Sequence, residues 1–341
     1  MSVRKIAVCS AKGGVGKTTL AVNLAADLAR MSKPVLLVDL SPQADATCHL
    51  GMEAVGRALS AYHLVTDKTD TPAAAVIPTR INNLFLAPSD RSTMEAAEIE
   101  LTGMLGREAI LDEQIKRVEE RYEYIIFDCP PGVGLLTINA LMASTEWLLP
   151  TQAHYLALNT LDQLFMAVLS LERRLGLRIT MAGVVCTLYD TRTRLSHAIE
   201  NELRRLFGPV ALKSVIHYRT AVGESPTFGM TIGEYEPGKE ADQNFKEMAL
   251  ELLHMGNGAQ TPLAGIKIEA GLDDKGSTLE HQEVRRAGER FASALRAVMG
   301  DSDVLAGHSI YRQLSDIGDI EAYRQKKRIS LSKAETDELW S

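Results

Sequence analysis

Lys12-Gly13-Gly14-Val15-Gly16-Lys17-Thr18-Thr19 is the segment whose residue types and spacing can do chemistry. Glycines at this density let backbone N–H groups turn inward on an anion, and a helix starting at the last of them adds its positive dipole end. Lys17 then reaches the outer phosphates of a nucleotide, and the Thr18 hydroxyl holds Mg²⁺. Lys12 is a second lysine where loops of this kind ordinarily carry none. Farther along, Tyr124-Ile125-Ile126-Phe127 ends in Asp128, which places a carboxylate at the tip of an apolar strand, near such a cation.

The elements that must position these groups follow from the pattern. Ile6-Ala7-Val8-Cys9 reads as a buried strand, and Leu20, Leu24 and Leu28 recur at helical spacing after the loop. Strand, glycine loop and helix is the context a phosphate loop requires. Further strands are expected at 35–38, 84–86, 124–127, 147–149 and 183–185, and helices around 94–118, 157–175, 193–207 and 239–254. Strands apolar on both faces and separated by helices predict an α/β fold, a mostly parallel twisted sheet with helices on both faces. Ligands on such sheets bind at the carboxyl ends of the strands, where the glycine loop falls. The pattern changes at Gly256-Asn257-Gly258, so residues 1–255 read as one domain and 256–341 as a linker and C-terminal extension, helical or partly disordered. Val284, Ala287, Phe291, Leu295 and Val298 mark one amphipathic helix within that extension.

Bulk composition narrows the classes. The 341 residues are 45% hydrophobic and 24% charged, ordinary for a globular protein. A net charge of −7 advertises no global affinity for nucleic acid, so any such binding needs a local patch. Cys9, Cys48, Cys129 and Cys186 lack metal or redox spacing. No apolar run is long enough to span a bilayer and no signal peptide is evident, so a cytoplasmic location is expected.

The loop resembles the deviant Walker A motif of the ParA/MinD superfamily of P-loop ATPases, with Ala11 at the first position where the strict pattern has Gly. The resemblance implies that Lys12, Gly13, Gly14, Val15, Gly16, Lys17, Thr18 and Thr19 bind ATP with Mg²⁺. It also implies that Lys12 crosses to the phosphates of a partner in an ATP-bound homodimer. Asp39 through Thr47 resembles the family segment Asp-x-Asp-Pro-Gln-Gly-Asn-Ala-Thr. Asp39 matches its first carboxylate, so Thr18, Asp39 and Asp128 are the expected metal residues. Ser41 stands where the family has the carboxylate that orients the attacking water. A serine is a far weaker base, so slow hydrolysis, or hydrolysis completed by a partner's group, is expected. Asp45, four residues on, matches an Asn of the pattern and is the alternative carboxylate. Asp128-Cys129-Pro130-Pro131-Gly132 resembles the family's switch segment, with Gly132 and Gly134 expected to give it freedom. Relatives place the base near the equivalents of 216–226, which implies Thr187, Ile216 and Tyr218, although His217-Tyr218 replaces the usual Pro-Arg.

Relatives that partition DNA bind it without sequence preference as ATP dimers. Of two arginines associated with that surface, one corresponds to Arg192; the other falls on Ala221, with Arg219 two residues away. The resemblance thus implies DNA binding through Arg192 and Arg219 and a ParB-like or other activating partner. The acidic C-terminus argues against a membrane anchor of the MinD kind. Two functions follow: an ATP switch that positions or segregates DNA or a protein cargo, or a hydrolysis-poor dimeric scaffold recruiting a partner through its extension.

Overall fold

A computed structural model describes residues 3–52, 59–153, 164, 168, 171, 174–255 and 261–262. The expected helix at 157–175 falls mostly outside them, as does the extension beyond 255 apart from Thr261–Pro262. The strands are β1 (Arg4–Val8), β2 (Val35–Asp39), β3 (Ile77–Pro78), β4 (Leu84–Ala87), β5 (Tyr124–Asp128), β6 (Glu146–Gln152), β7 (Thr180–Tyr189), β8 (Ala211–His217) and β9 (Thr261–Pro262). They form one sheet in the order β3-β4-β2-β5-β1-β6-β7-β8, with β9 beside β7. From β4 to β8 every pairing is parallel, and only β3 and β9 run antiparallel to their neighbours. The expected parallel α/β sheet is therefore present. Strand order reverses around β1, which puts the glycine loop at the switch point of the sheet.

The helices are α1 (Lys17–Arg30), α2 (Asp45–His49), α3 (Ala61–Val65), α4 (Arg91–Thr102), α5 (Ile110–Lys116), α6 (Leu135–Met142), α7 (Arg194–Phe207), α8 (Thr220–Glu224) and α9 (Lys239–Met255). One expectation needs correcting. The stretch 94–118 is not one helix but two, because the chain turns through Gly103 and Gly106, the latter at φ 64°, a conformation glycine adopts without strain. Asp90 starts α4 by accepting from the Ser92 and Thr93 N–H groups, which satisfies two of its orphan donors.

α1 is buried along most of its length between sheet and α9. Leu20, Leu24 and Leu28 are each at most 1% exposed, and burying such a side chain contributes about 1.5–3 kcal/mol. Its one buried amide is bonded at both ends: Asn23 donates to Thr19 O and accepts from Ile232 N–H, both at 2.8 Å. At the strands' amino ends Arg4 ties three elements together. Its guanidinium forms a bidentate pair with Glu146 (2.7 and 2.6 Å) and donates to Leu252 O at 2.8 Å.

A second tie joins α2 to residues 225–235. Gly51 and Gly229 meet backbone to backbone, Gly229 at φ 64°, and a Cβ there would lie 2.6 Å from Gly51 Cα. Arg80 closes the junction by donating to Leu50 O and Gly229 O while pairing with Glu234. Gly229→Ala is expected to cost roughly 2–3 kcal/mol, lowering Tm by about 5–10 °C in a domain of this size. Thermal melting checks this against Gly223→Ala, whose Cβ meets nothing within 4 Å and whose Tm is expected not to fall.

Candidate functional site

Three strand ends build the site. β1 leads into the glycine loop, β2 ends at Asp39 and β5 at Asp128, and the register pairs Asp39 with Asp128 and Val8 with Asp128. The sheet therefore brings together residues far apart in sequence. Gly14 (φ 72°) and Gly16 (φ 86°) take left-handed conformations, so both must be glycine for conformation rather than space. Gly16 caps α1, whose first turn carries no acidic side chain, so the positive end of the helix faces the loop uncompensated.

The two lysines differ in placement. Lys17 is buried and donates to Lys12 O at 3.0 Å, folding its ammonium over the loop mouth. Burial pulls its pKa down, and the Asp128 charge pulls it back up. Lys12 is half-buried and turns the other way, toward Gln152 Oε1 at 3.4 Å, at the end of β6.

Asp128 is fully buried, and neither of its oxygens makes a well-formed hydrogen bond among the described residues, although the Thr18 hydroxyl is near enough to favour its charged form. Burial, then the neighbouring Asp39, holds its pKa well above the carboxylate range; the Thr18 hydroxyl and Lys17 pull the other way. Asp39, also fully buried, is pushed up to about 6 by burial despite its hydrogen bonds. Two buried carboxyls beside one partly desolvated ammonium leave the site short of positive charge. A buried Asp128 facing Thr18 fits a hard divalent cation. Among the described residues no three His, Cys, Asp or Glu side chains group to hold a metal. Such a cation would take its remaining oxygens from a bound polyphosphate and water.

Asp39 does something no sequence pattern reveals. Its Oδ2 accepts from Thr47 N (2.8 Å) and Thr47 Oγ1 (2.7 Å), and its Oδ1 accepts from Ser41 N (3.0 Å). The carboxyl thereby fixes the turn from β2 to α2. This turn includes Ala44 at φ 56°, where the family segment has Gly. A left-handed alanine costs about 1–2 kcal/mol and persists only where surrounding bonds impose it. Ser41, buried, donates its Oγ–H to Asp45 Oδ2 at 3.1 Å.

The switch segment touches the loop directly: Gly132 N–H donates to Ser10 O at 3.2 Å. Gly132 is at φ 91°, a conformation that glycine adopts without strain. Gly134 is different, having an ordinary φ of −76°; its missing side chain makes room for the Glu98 carboxylate. Of the three residues expected around a base, Thr187 is committed to the loop, donating to Val15 O at 2.8 Å. Ile216 is 5% exposed within the core cluster, so it lines no open surface. Tyr218 is 55% exposed and presents the accessible ring.

Arg192 and Arg219 follow the adjoining ends of β7 and β8, where Tyr218 N–H donates to Tyr189 O at 2.9 Å, although 27 positions separate them in sequence. Arg192 makes an exposed bidentate pair with Asp190 (2.9 and 2.8 Å), which the Arg219 charge also reaches. Arg219 in turn pairs with Glu240 at 2.9 Å. Exposed pairs of this kind contribute only ~0–1 kcal/mol, so either arginine can exchange its partner for a phosphate. Ala221 is buried in the core. No described helix is long and apolar enough to cross a membrane.

A family model described as an AAA domain matches residues 3–181. The sporulation initiation inhibitor protein Soj of Bacillus subtilis is 38% identical over 247 residues, 72% of this chain and 97% of Soj. Among solved structures, the ATP complex of a Cyanothece McdA variant is similar with a TM-score of 0.66 at 26% identity, covering 74% of this chain and 96% of McdA. Cobyrinic acid a,c-diamide synthase from Mycobacterium smegmatis, with bound ADP and magnesium, matches with a TM-score of 0.65 at 26% identity, over 76% and 98% of the chains.

Proposed function

The chain belongs to the ParA/MinD family of partition ATPases, and from that membership we propose that it is an ATP-driven switch that positions DNA or a protein cargo. ATP lies in the glycine loop with its phosphates against the N–H groups of residues 13–18 and the Lys17 ammonium. Thr18 and Asp128, with Asp39 behind them, would hold Mg²⁺. When bound, that ion supplies charge neutralisation across the β- and γ-phosphates. Two ATP-loaded protomers then close on one another, and each Lys12 reaches the nucleotide of its partner. The observation that carries this reading is the opposite placement of the two lysines, Lys17 folded over its own loop and Lys12 turned away toward Gln152.

In the dimer, Arg192 and Arg219 of both protomers form a basic surface for the DNA backbone, and hydrolysis stimulated by a partner protein releases it. Affinity of this origin is independent of base sequence and falls steeply with salt. A cytoplasmic, nucleoid-associated location follows from that activity. Support for the DNA arm comes from the exposed placement of the two arginines beyond the adjoining ends of β7 and β8 and from the likeness to Soj.

Binding of the full-length protein to random-sequence duplex DNA tests it, with ATP, with ADP and without nucleotide, at low and moderate salt. Binding is expected with ATP alone. Arg192→Ala is expected to weaken it equally on all sequences and to reduce the slope of log K against log salt by about 2 per dimer, one phosphate contact per arginine. No binding in any state would turn the reading toward a protein cargo.

A further inference from the structure

Position 41 lacks a carboxylate, yet one stands a single hydrogen bond away. Asp45 is exposed at the start of α2, and its Oδ2 accepts the Ser41 hydroxyl at 3.1 Å. Ser41 Oγ also accepts from Gln43 N–H at 3.2 Å, which uses one of its two lone pairs and leaves the other open. Ser41 itself is 4% exposed, and its backbone is bonded on both sides, to Asp39 Oδ1 through its N–H and to the Ser89 hydroxyl through its carbonyl. The hydroxyl is therefore aimed rather than free to rotate. The charge of Asp45 is felt at Lys17, Asp39 and Asp128, so it belongs to the electrostatics of the phosphate site.

We infer that Ser41 and Asp45 together form the hydrolytic water's acceptor in this chain, Ser41 Oγ contacting the water and Asp45 acting through it. The inference rests on the ATPase reading above. In the step, the water oxygen bonds to the γ-phosphorus and the bond from that phosphorus to the β–γ bridging oxygen breaks, leaving its electron pair on ADP. The water's proton passes to Ser41 Oγ as Ser41 hands its own proton to Asp45 Oδ2. Asp45 later releases that proton to solvent, which its exposure permits. Asp45 is thus a positioning residue that supplies basicity, and Ser41 is the group at the water. The carboxylate has moved four residues along the chain without leaving the site.

The test compares wild type with Asp45→Asn, Asp45→Glu, Ser41→Ala and the double variant Ser41→Asp/Asp45→Asn, all full-length. Each is measured for ATP turnover and, separately, for affinity toward a fluorescent ATP analogue. Asp45→Asn and Ser41→Ala are expected to lower kcat about 100-fold with KM and analogue affinity within threefold. Asp45→Glu is expected to recover part of the rate. The double variant, which returns the carboxylate to position 41, is expected to regain wild-type turnover or exceed it. Asp45→Asn turning over like wild type would overturn the inference, and so would a double variant as slow as Asp45→Asn alone. A wild type that binds the analogue without turnover also overturns it while leaving nucleotide binding intact. A wild type that does not bind the analogue at all overturns the ATPase reading instead, so the two failures are distinguishable.

Discussion

Lys17→Ala is expected to lower ATP affinity at least about 100-fold and to abolish turnover. Its ammonium lies over the loop mouth, 3.0 Å from Lys12 O, and burial already holds its pKa below the ordinary lysine value. Charge-assisted hydrogen bonds contribute about 1.5–3 kcal/mol each. Two such bonds to phosphate are therefore worth roughly 3–6 kcal/mol, or 10²–10⁴ in Kd. The change removes a desolvated ammonium but also the packing of a buried side chain, so lost phosphate contacts and altered fold stability are both expected. Calorimetric titration with ATP and Mg²⁺, alongside a melting curve, separates the two effects. An affinity within threefold of wild type would mean that the phosphates do not sit under this side chain.

The second large effect is expected at Lys12, and it differs in kind. Lys12→Ala should bind ATP as a monomer within about threefold of wild type, since its ammonium turns toward Gln152, 3.4 Å away, and leaves its own loop to Lys17. Dimerisation driven by ATP should weaken at least about 100-fold. A symmetric dimer loses two lysine–phosphate contacts at once, about 3 kcal/mol at the low end of the range for charged hydrogen bonds. Light scattering across a concentration series with ATP reads this directly. If the variant dimerises normally, the lysine acts within its own protomer.

Much of this is legible in the chain because apolar strands and a glycine loop are local signals. The runs ending at Val38 and Phe127 form β2 and β5 with their carboxylates at the tips, as the pattern requires. What stays hidden depends on partners distant in sequence or on backbone conformation. No periodicity tells that Asp39 spends its oxygens on Thr47 and Ser41, or that Ala44 takes a left-handed turn because those bonds impose it. That Arg192 and Arg219 follow adjoining strand ends depends on β7 and β8 being neighbours, and β8 escapes the strand pattern because Lys213 and Ser214 interrupt its apolar residues. Apolar residues continue past Gly103 in helical register, so spacing alone carries α4 too far, while the glycines break it. Asp45 is readable in sequence as the alternative to a carboxylate at position 41; what sequence does not tell is that the Ser41 hydroxyl is hydrogen-bonded to it.

The most direct test is the mass of the full-length protein in sedimentation, with Mg²⁺ and ATP, with Mg²⁺ and ADP, and without nucleotide. A dimer is expected with ATP and a monomer in the other two states, with Lys12→Ala monomeric in all three. A monomer under every condition, or a dimer indifferent to nucleotide, would contradict the ATP-gated switch.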